Sequence, residues 1–149
     1  PLNEMVEVVN YALKNNYSVT WDGDISEDGF LHKAGLAVVP EEDWSKTRYS
    51  EKTEQLKEPI KEKVIEASNR QLAFDNHTAT DDHLMHLVGL FKDQNGKFFY
   101  FTKNSWGTES NEFGGFLYMS ENYLQMNTIA IMVHKDAIPA GIKKKLGIN

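Results

Sequence analysis

Two stretches of the sequence hold residue types suited to acyl-transfer chemistry: Asp82-His83 and, downstream, Lys103-Asn104-Ser105-Trp106-Gly107-Thr108. An asparagine amide oxygen can hold an imidazole by its ring N–H, fixing the tautomer and orientation that a Cys-His ion pair needs. A tryptophan two residues later can roof that bond and exclude water, which strengthens it. Asn, Ser, Trp and Gly also build ordinary turns. The residues alone therefore equally allow a hairpin with one buried Asn and an uninvolved histidine.

Strand geometry says which histidine Asn104 would serve. If Asn95-Gly96 forms a two-residue turn, Gln94 faces Lys97 and Asn104 faces Leu87. Side chains alternate faces, so His83 shares the side of Asn104 and His86 does not. Reach is the difficulty, since the strand from Leu87 back to His83 covers roughly 13 Å at about 3.3 Å per residue. A wider loop centred on Asp93-Gln94 would put His83 directly opposite Asn104 without changing parity. The spacing predicts that loop, or a bulge.

Other clusters read more simply. Asp24, Ser26, Asp28 and Gly29 match the first half of a helix-loop-helix calcium loop, but Gly35 stands where a bidentate Glu is needed and a strand precedes the loop. A solvated turn is expected. His77, Asp81, Asp82, His83 and His86 could suggest zinc, yet no His-Glu-x-x-His pattern exists and a strand would send His83 and His86 to opposite faces. No metal site is expected. Asn76-His77-Thr78 is a glycosylation triplet that matters only in a secreted protein.

The elements that must position this chemistry follow from periodicity. Asn3 can cap a helix whose stripe is Met5, Val8, Val9, Ala12 and Leu13, ended by Asn15-Asn16. Tyr17, Val19 and Trp21 alternate with polar residues as a half-buried strand. Gly23, Gly29 and Gly35 then predict a loop up to Pro40. Leu56, Ile60, Val64 and Ala67 predict a second amphipathic helix within residues 50–72, with Pro59 in its first turn. Residues 83–91 and 98–103 read as paired strands, and 116–119 and 128–133 as two more, with a helical turn capped by Ser120 between them. Together these predict a single α+β domain over residues 1–149, built on a mainly antiparallel sheet with flanking helices.

Composition excludes several classes. With 40% hydrophobic and 26% charged residues the chain is neither disordered nor fibrous. Its longest apolar runs, 36–39 and 129–133, are far below the roughly 20 residues of a membrane helix. A net charge of −6 argues against a nucleic-acid surface, and Lys143-Lys144-Lys145 reads as a solvated face. Cysteine is absent, so there is no disulfide and no thiolate ligand. The opening Pro1-Leu2-Asn3 carries no signal-like segment, and a piece of a longer protein is expected.

A resemblance sharpens this reading. Asn104-Ser105-Trp106-Gly107 looks like the asparagine motif of the papain-like cysteine peptidases, and Asp82-His83 followed by Val88-Gly89 resembles their histidine strand. Gly115-Phe116-Leu117-Tyr118 is similar to the Gly-Tyr strand that follows. Within that superfamily, Pro1-Leu2-Asn3, Trp21-Asp22-Gly23-Asp24-Ile25, and Arg70 with Phe74 ahead of His83-Leu84-Met85 resemble the bleomycin hydrolase and aminopeptidase C group.

The resemblance implies the right-hand, sheet-containing lobe of the papain fold, with the helical lobe upstream and outside this chain. It makes His83 the general base and acid, Asn104 its orienter and Trp106 the shield of their bond. The nucleophilic cysteine and the oxyanion-hole glutamine belong to the missing lobe, so this chain alone should be inert. Implied partners are a peptide substrate, the N-terminal lobe of the same parent and a possible homo-oligomer formed through surface the missing lobe would cover. No cofactor, nucleic acid or membrane is implied, and a cytoplasmic location is. The group's aminopeptidases carry a C-terminal tail that limits cleavage to peptide N-termini. Here only Gly147-Ile148-Asn149 follow residues 139–146, which leaves exopeptidase restriction open. The rival from another class is a catalytically dead papain-like module that binds peptides or a partner. A zinc hydrolase using residues 77–86 is a third.

Overall fold

The computed structural model describes residues 1–148. Its apolar alternation is resolved into seven strands: β1 (Val19–Gly23), β2 (Phe30–Leu31), β3 (Leu36–Ala37), β4 (His83–Lys92), β5 (Phe98–Asn104), β6 (Phe116–Ser120) and β7 (Thr128–Met132). They form one sheet in the order β2-β3-β6-β5-β4-β1-β7. Every pairing is antiparallel except β3 with β6.

Five helices accompany the sheet: α1 (Leu2–Lys14), α2 (Tyr49–Gln55), α3 (Ala67–Asp75), α4 (Glu121–Asn127) and α5 (Ala140–Leu146). Helix α1 buries Val8, Val9 and Ala12 of the expected stripe, leaves Met5 and Leu13 partly buried, and adds Val6, which the stripe does not include. The helix starts before Asn3, with Pro1 at the cap, and ends at Asn15, after which Asn16 turns left-handed at φ 62°. Ser120 caps α4 as expected, its Oγ accepting the Tyr123 N–H at 3.1 Å. On this face Val9 and Ala12 of α1 and Tyr123 and Leu124 of α4 pack with Trp21, Met85, Leu87, Tyr100, Leu117 and Met119 of the sheet.

Trp21 is the largest buried side chain of this core, and its Nε1–H donates to Thr128 Oγ1 at 2.8 Å, tying β1 to the start of β7. Trp21→Ala removes an indole that neighbours cannot collapse to fill and leaves the hydroxyl without that donor. A loss of about 3–5 kcal/mol is expected, read as a lower urea midpoint at unchanged slope.

The single helix expected within residues 50–72 is instead two, α2 and α3, with an irregular segment between them. Pro59 lies in that segment, not in a first turn: it has no N–H to donate, and it drives Glu58 away from helical geometry. What the segment gains is tertiary. Ile60 joins a second apolar cluster with Leu31, Val38 and Trp44. Glu62, its side chain only 2% exposed, accepts from the Val39 N–H at 2.8 Å and the Ser120 hydroxyl at 2.6 Å and pairs with Lys97. These contacts outweigh the weak helical preference of a run interrupted by proline.

The stretch expected as a plain loop up to Pro40 also carries order. It holds the β2-β3 hairpin around a 3-10 turn, His32–Ala34, closed by Gly35 in the left-handed conformation at φ 71°. Phe113 packs so closely on Gly35 that a Cβ there would lie 2.6 Å from its ring.

Candidate active site

His83 opens β4, and its neighbours pin it before the strand begins. Asp24, fully buried, accepts from the Ser26 N–H and hydroxyl, both at 2.6 Å, and from the Thr80 N–H at 2.7 Å. Asp82 accepts from the Ile25 N–H at 3.1 Å. The segment entering β4 is thereby clamped to the loop after β1. The half-match to a calcium loop has this structural use: Asp24 spends its carboxylate on protein donors, and Asp28 pairs with Lys52 at 2.8 Å. At the rim, burial and then a hydrogen bond with Asp81 push the Asp22 carboxyl above its ordinary pKa.

Asn104 ends β5 and is 1% exposed. The hairpin between β4 and β5 is neither the minimal turn nor a loop centred on Asp93-Gln94, but it carries the bulge that the spacing offers as the other possibility. Lys92 pairs with Phe98, leaving residues 93–97 as the loop. Asp93 organises it by accepting the N–H groups of Asn95 at 2.9 Å and Lys97 at 2.8 Å, while Gly96 takes φ 81°. The register then shifts at a bulge between Leu87 and Gly89, so Asn104 stands opposite Met85 and not opposite His83. His83 is one same-face position further along, a diagonal neighbour. Parity holds, with Met85 and Leu87 buried beside half-buried His83, and Leu84, His86 and Val88 exposed.

The His83 ring spans that diagonal, and its Nε2 lies 2.7 Å from Asn104 Oδ1. Trp106 follows in the turn after β5, where Gly107 at φ 91° reverses the chain. Its ring centroid is 5.1 Å from that of His83, and the indole is 52% exposed. The three residues of the motif reading are thus brought together, with the indole covering one side of the pair. His86 and His77 take no part. Among the described residues no three His, Asp or Glu side chains are grouped to hold a metal ion.

The motif reading leaves out His32. It is 6% exposed, its Nδ1 lies 3.2 Å from Asn104 Nδ2, and the edge-on Trp106 ring is 4.9 Å away between centroids. Contacts distant in sequence bring it here, among them the β3-β6 pairing and the Asn111 amide that donates to the His32 carbonyl, and no local pattern in residues 30–37 signals them. Burial first, then the nearby His83 and Lys103, hold its pKa below the usual 6.5 of an imidazole. Hollows of about 500 and 570 Å³ lie elsewhere, one lined by Trp44, Lys63 and Asn127 and the other by Met5, Arg70 and Phe74. Arg70 of α3 donates to the Thr128 carbonyl, which makes it a brace between α3 and β7.

The α+β fold, with its mostly antiparallel sheet, is one this chain shares with a solved papain-like peptidase. A family model described as the Peptidase C1-like family matches residues 55–148, and the chain belongs to that family. Among solved structures it is similar to PepW from Lactobacillus rhamnosis HN001, at 16% identity and a TM-score of 0.65 over 97% of this chain and 29% of PepW. It is also similar to the bromelain protease of Ananas comosus solved with the E64 inhibitor, at 14% identity and a TM-score of 0.42 over 89% of this chain and 46% of bromelain. The first likeness shows a common fold, and the chain spans under a third of PepW's length. No curated protein matches the sequence significantly. No described helix is long and apolar enough to cross a membrane.

Proposed function

We propose that this chain supplies the imidazole and the carboxamide of a cysteine-peptidase centre, with His83 as general base and acid, Asn104 as its orienter and Trp106 as the cover over their bond. The observation that carries the reading is the 2.7 Å contact between His83 Nε2 and Asn104 Oδ1. It leaves His83 Nδ1 as the nitrogen for a nucleophile.

The chain has no cysteine, so the thiol comes from an N-terminal lobe of the same parent protein, set against the exposed edge of Trp106. The cleft then lies between the lobes, and the substrate is a peptide. In the reaction His83 takes the thiol proton and the thiolate adds to the peptide carbonyl. The tetrahedral adduct collapses as His83 returns that proton to the departing amine, leaving a thioester. Water, deprotonated by His83, then attacks the thioester and releases the acid and the thiol. Asn104 keeps the ring turned so that Nδ1 alone does this work.

The test is hydrolysis of fluorogenic peptides by the parent protein containing both lobes. Turnover abolished by iodoacetamide is expected. Peptide binding without turnover would overturn the catalytic reading in favour of a dead peptide-binding module.

A further inference from the structure

The contacts of Asn104 do not end at His83. A chain of polar groups runs from His83 through Asn104 to His32, then to Ser110 and the backbone of Gly107. Its members are His83 Nε2 to Asn104 Oδ1 at 2.7 Å, Asn104 Nδ2 to His32 Nδ1 at 3.2 Å, His32 Nε2 to Ser110 Oγ at 2.8 Å, and Ser110 Oγ to Gly107 O at 2.7 Å.

The far end sets the direction of every hydrogen in the chain. A carbonyl oxygen only accepts, so the Ser110 hydroxyl proton is committed to Gly107. Ser110 Oγ must then accept from His32, which places a hydrogen on His32 Nε2. A neutral imidazole carries one N–H, so His32 Nδ1 is bare and accepts from the Asn104 amide nitrogen. The amide oxygen is thereby turned toward His83, whose Nε2 must be the donor. Each assignment follows from the one before it.

We propose that His32 is a positioning residue: as a neutral imidazole anchored by Ser110, it fixes the orientation of the Asn104 amide and, through it, the tautomer of His83. The consequence for catalysis rests on the peptidase reading, whereas the hydrogen-bond order belongs to this chain alone. The scaffold around His32 is built to hold it. The Asn111 amide donates to the His32 carbonyl at 2.8 Å, and the Tyr118 N–H donates to the Gly35 carbonyl at 2.8 Å, locking the 3-10 turn to β6. Phe30 stacks on the imidazole at 6.4 Å between ring centroids.

A protonated His32 would reverse the arrangement. With both ring nitrogens carrying hydrogen it demands the amide oxygen, and the amide must rotate and present its NH₂ to the Nε2–H of His83. The charged groups acting on His32 oppose that protonation: His83 from β4 and Lys103 from β5 both disfavour a second positive charge, and Glu109 on the neighbouring 3-10 turn is exposed. The amide therefore stays oriented across neutral pH and is released only in acid.

Imidazole tautomers are read directly from long-range ¹H–¹⁵N correlations on the uniformly labelled full chain, with its five histidines assigned by substitution. At neutral pH, neutral His32 and His83 are both expected to favour Nε2–H by on the order of tenfold, the population shift of one net hydrogen bond. In His32→Leu the His83 preference should fall to that of a free imidazole, and in His32→Asn, whose Oδ1 sits where Nδ1 was, it should return. A wild-type His32 carrying its hydrogen on Nδ1, or an unchanged His83 in folded His32→Leu, overturns the proposal. Should His32→Leu not fold, Ser110→Ala decides: mixed tautomers at both histidines support the relay, and unchanged ones overturn it. These spectra need no nucleophile, so they stand or fall separately from peptide hydrolysis by the two-lobe protein.

Discussion

In the parent protein carrying both lobes, His83→Ala is expected to lower kcat/KM for peptide hydrolysis by roughly 10⁴-fold, with the protein still folded. Two losses combine. Without the imidazole the thiol returns toward an ordinary pKa of about 8.5 and is only a few per cent thiolate at pH 7. The departing amine also loses its proton donor, and general acid-base catalysis is worth about 10²–10⁴-fold. Stability should change little, because His83 is only half-buried and water can enter the space its ring leaves and donate to Asn104 Oδ1 in its stead. A reduction below about tenfold would remove His83 from the mechanism.

Asn104→Ala is expected to act on both rate and stability. The ring of His83 loses the group that orients it, and misplacing a reacting group by an ångström costs about 10²-fold. The truncation also strips His32 Nδ1 of its partner inside the core, where an unsatisfied polar group costs about 1–3 kcal/mol. Peptide kinetics and urea denaturation should therefore separate the two variants: His83→Ala loses rate alone, and Asn104→Ala loses less rate together with stability. A stability loss with unaltered kinetics would make Asn104 a core residue only.

The closeness of His83 to Asn104 was legible because strand parity depends on local alternation, and the two one-residue register shifts, one in the loop and one at the bulge, together leave the face unchanged. Its detail was not. A bulge was expected, but not its position at Val88, and the loop organised by the Asp93 carboxylate depends on side-chain contacts that periodicity does not encode; together they place Asn104 opposite Met85. The apolar stripe of α1 and the Ser120 cap were equally local and equally readable. The split of the expected second helix was half-readable, since Pro59 was a visible breaker. The contacts that hold the intervening segment, Glu62 to Val39 and Ser120, join residues far apart in sequence. His32 was invisible for the same reason, arriving at Asn104 through the parallel pairing of β3 with β6. Asp24 could be seen as a turn former, but not as the clamp on Thr80 that leads into His83.

The central claim is that this chain presents an oriented imidazole to a thiol brought by another lobe. The most direct measurement is the rate of alkylation of that thiol by iodoacetamide as a function of pH in the two-lobe protein, with and without His83. The account predicts reactivity sustained to about pH 5, well below the ordinary thiol pKa of about 8.5, and a return to that ordinary profile in His83→Ala. A wild-type profile that already rises with an ordinary thiol pKa, indifferent to position 83, would contradict it.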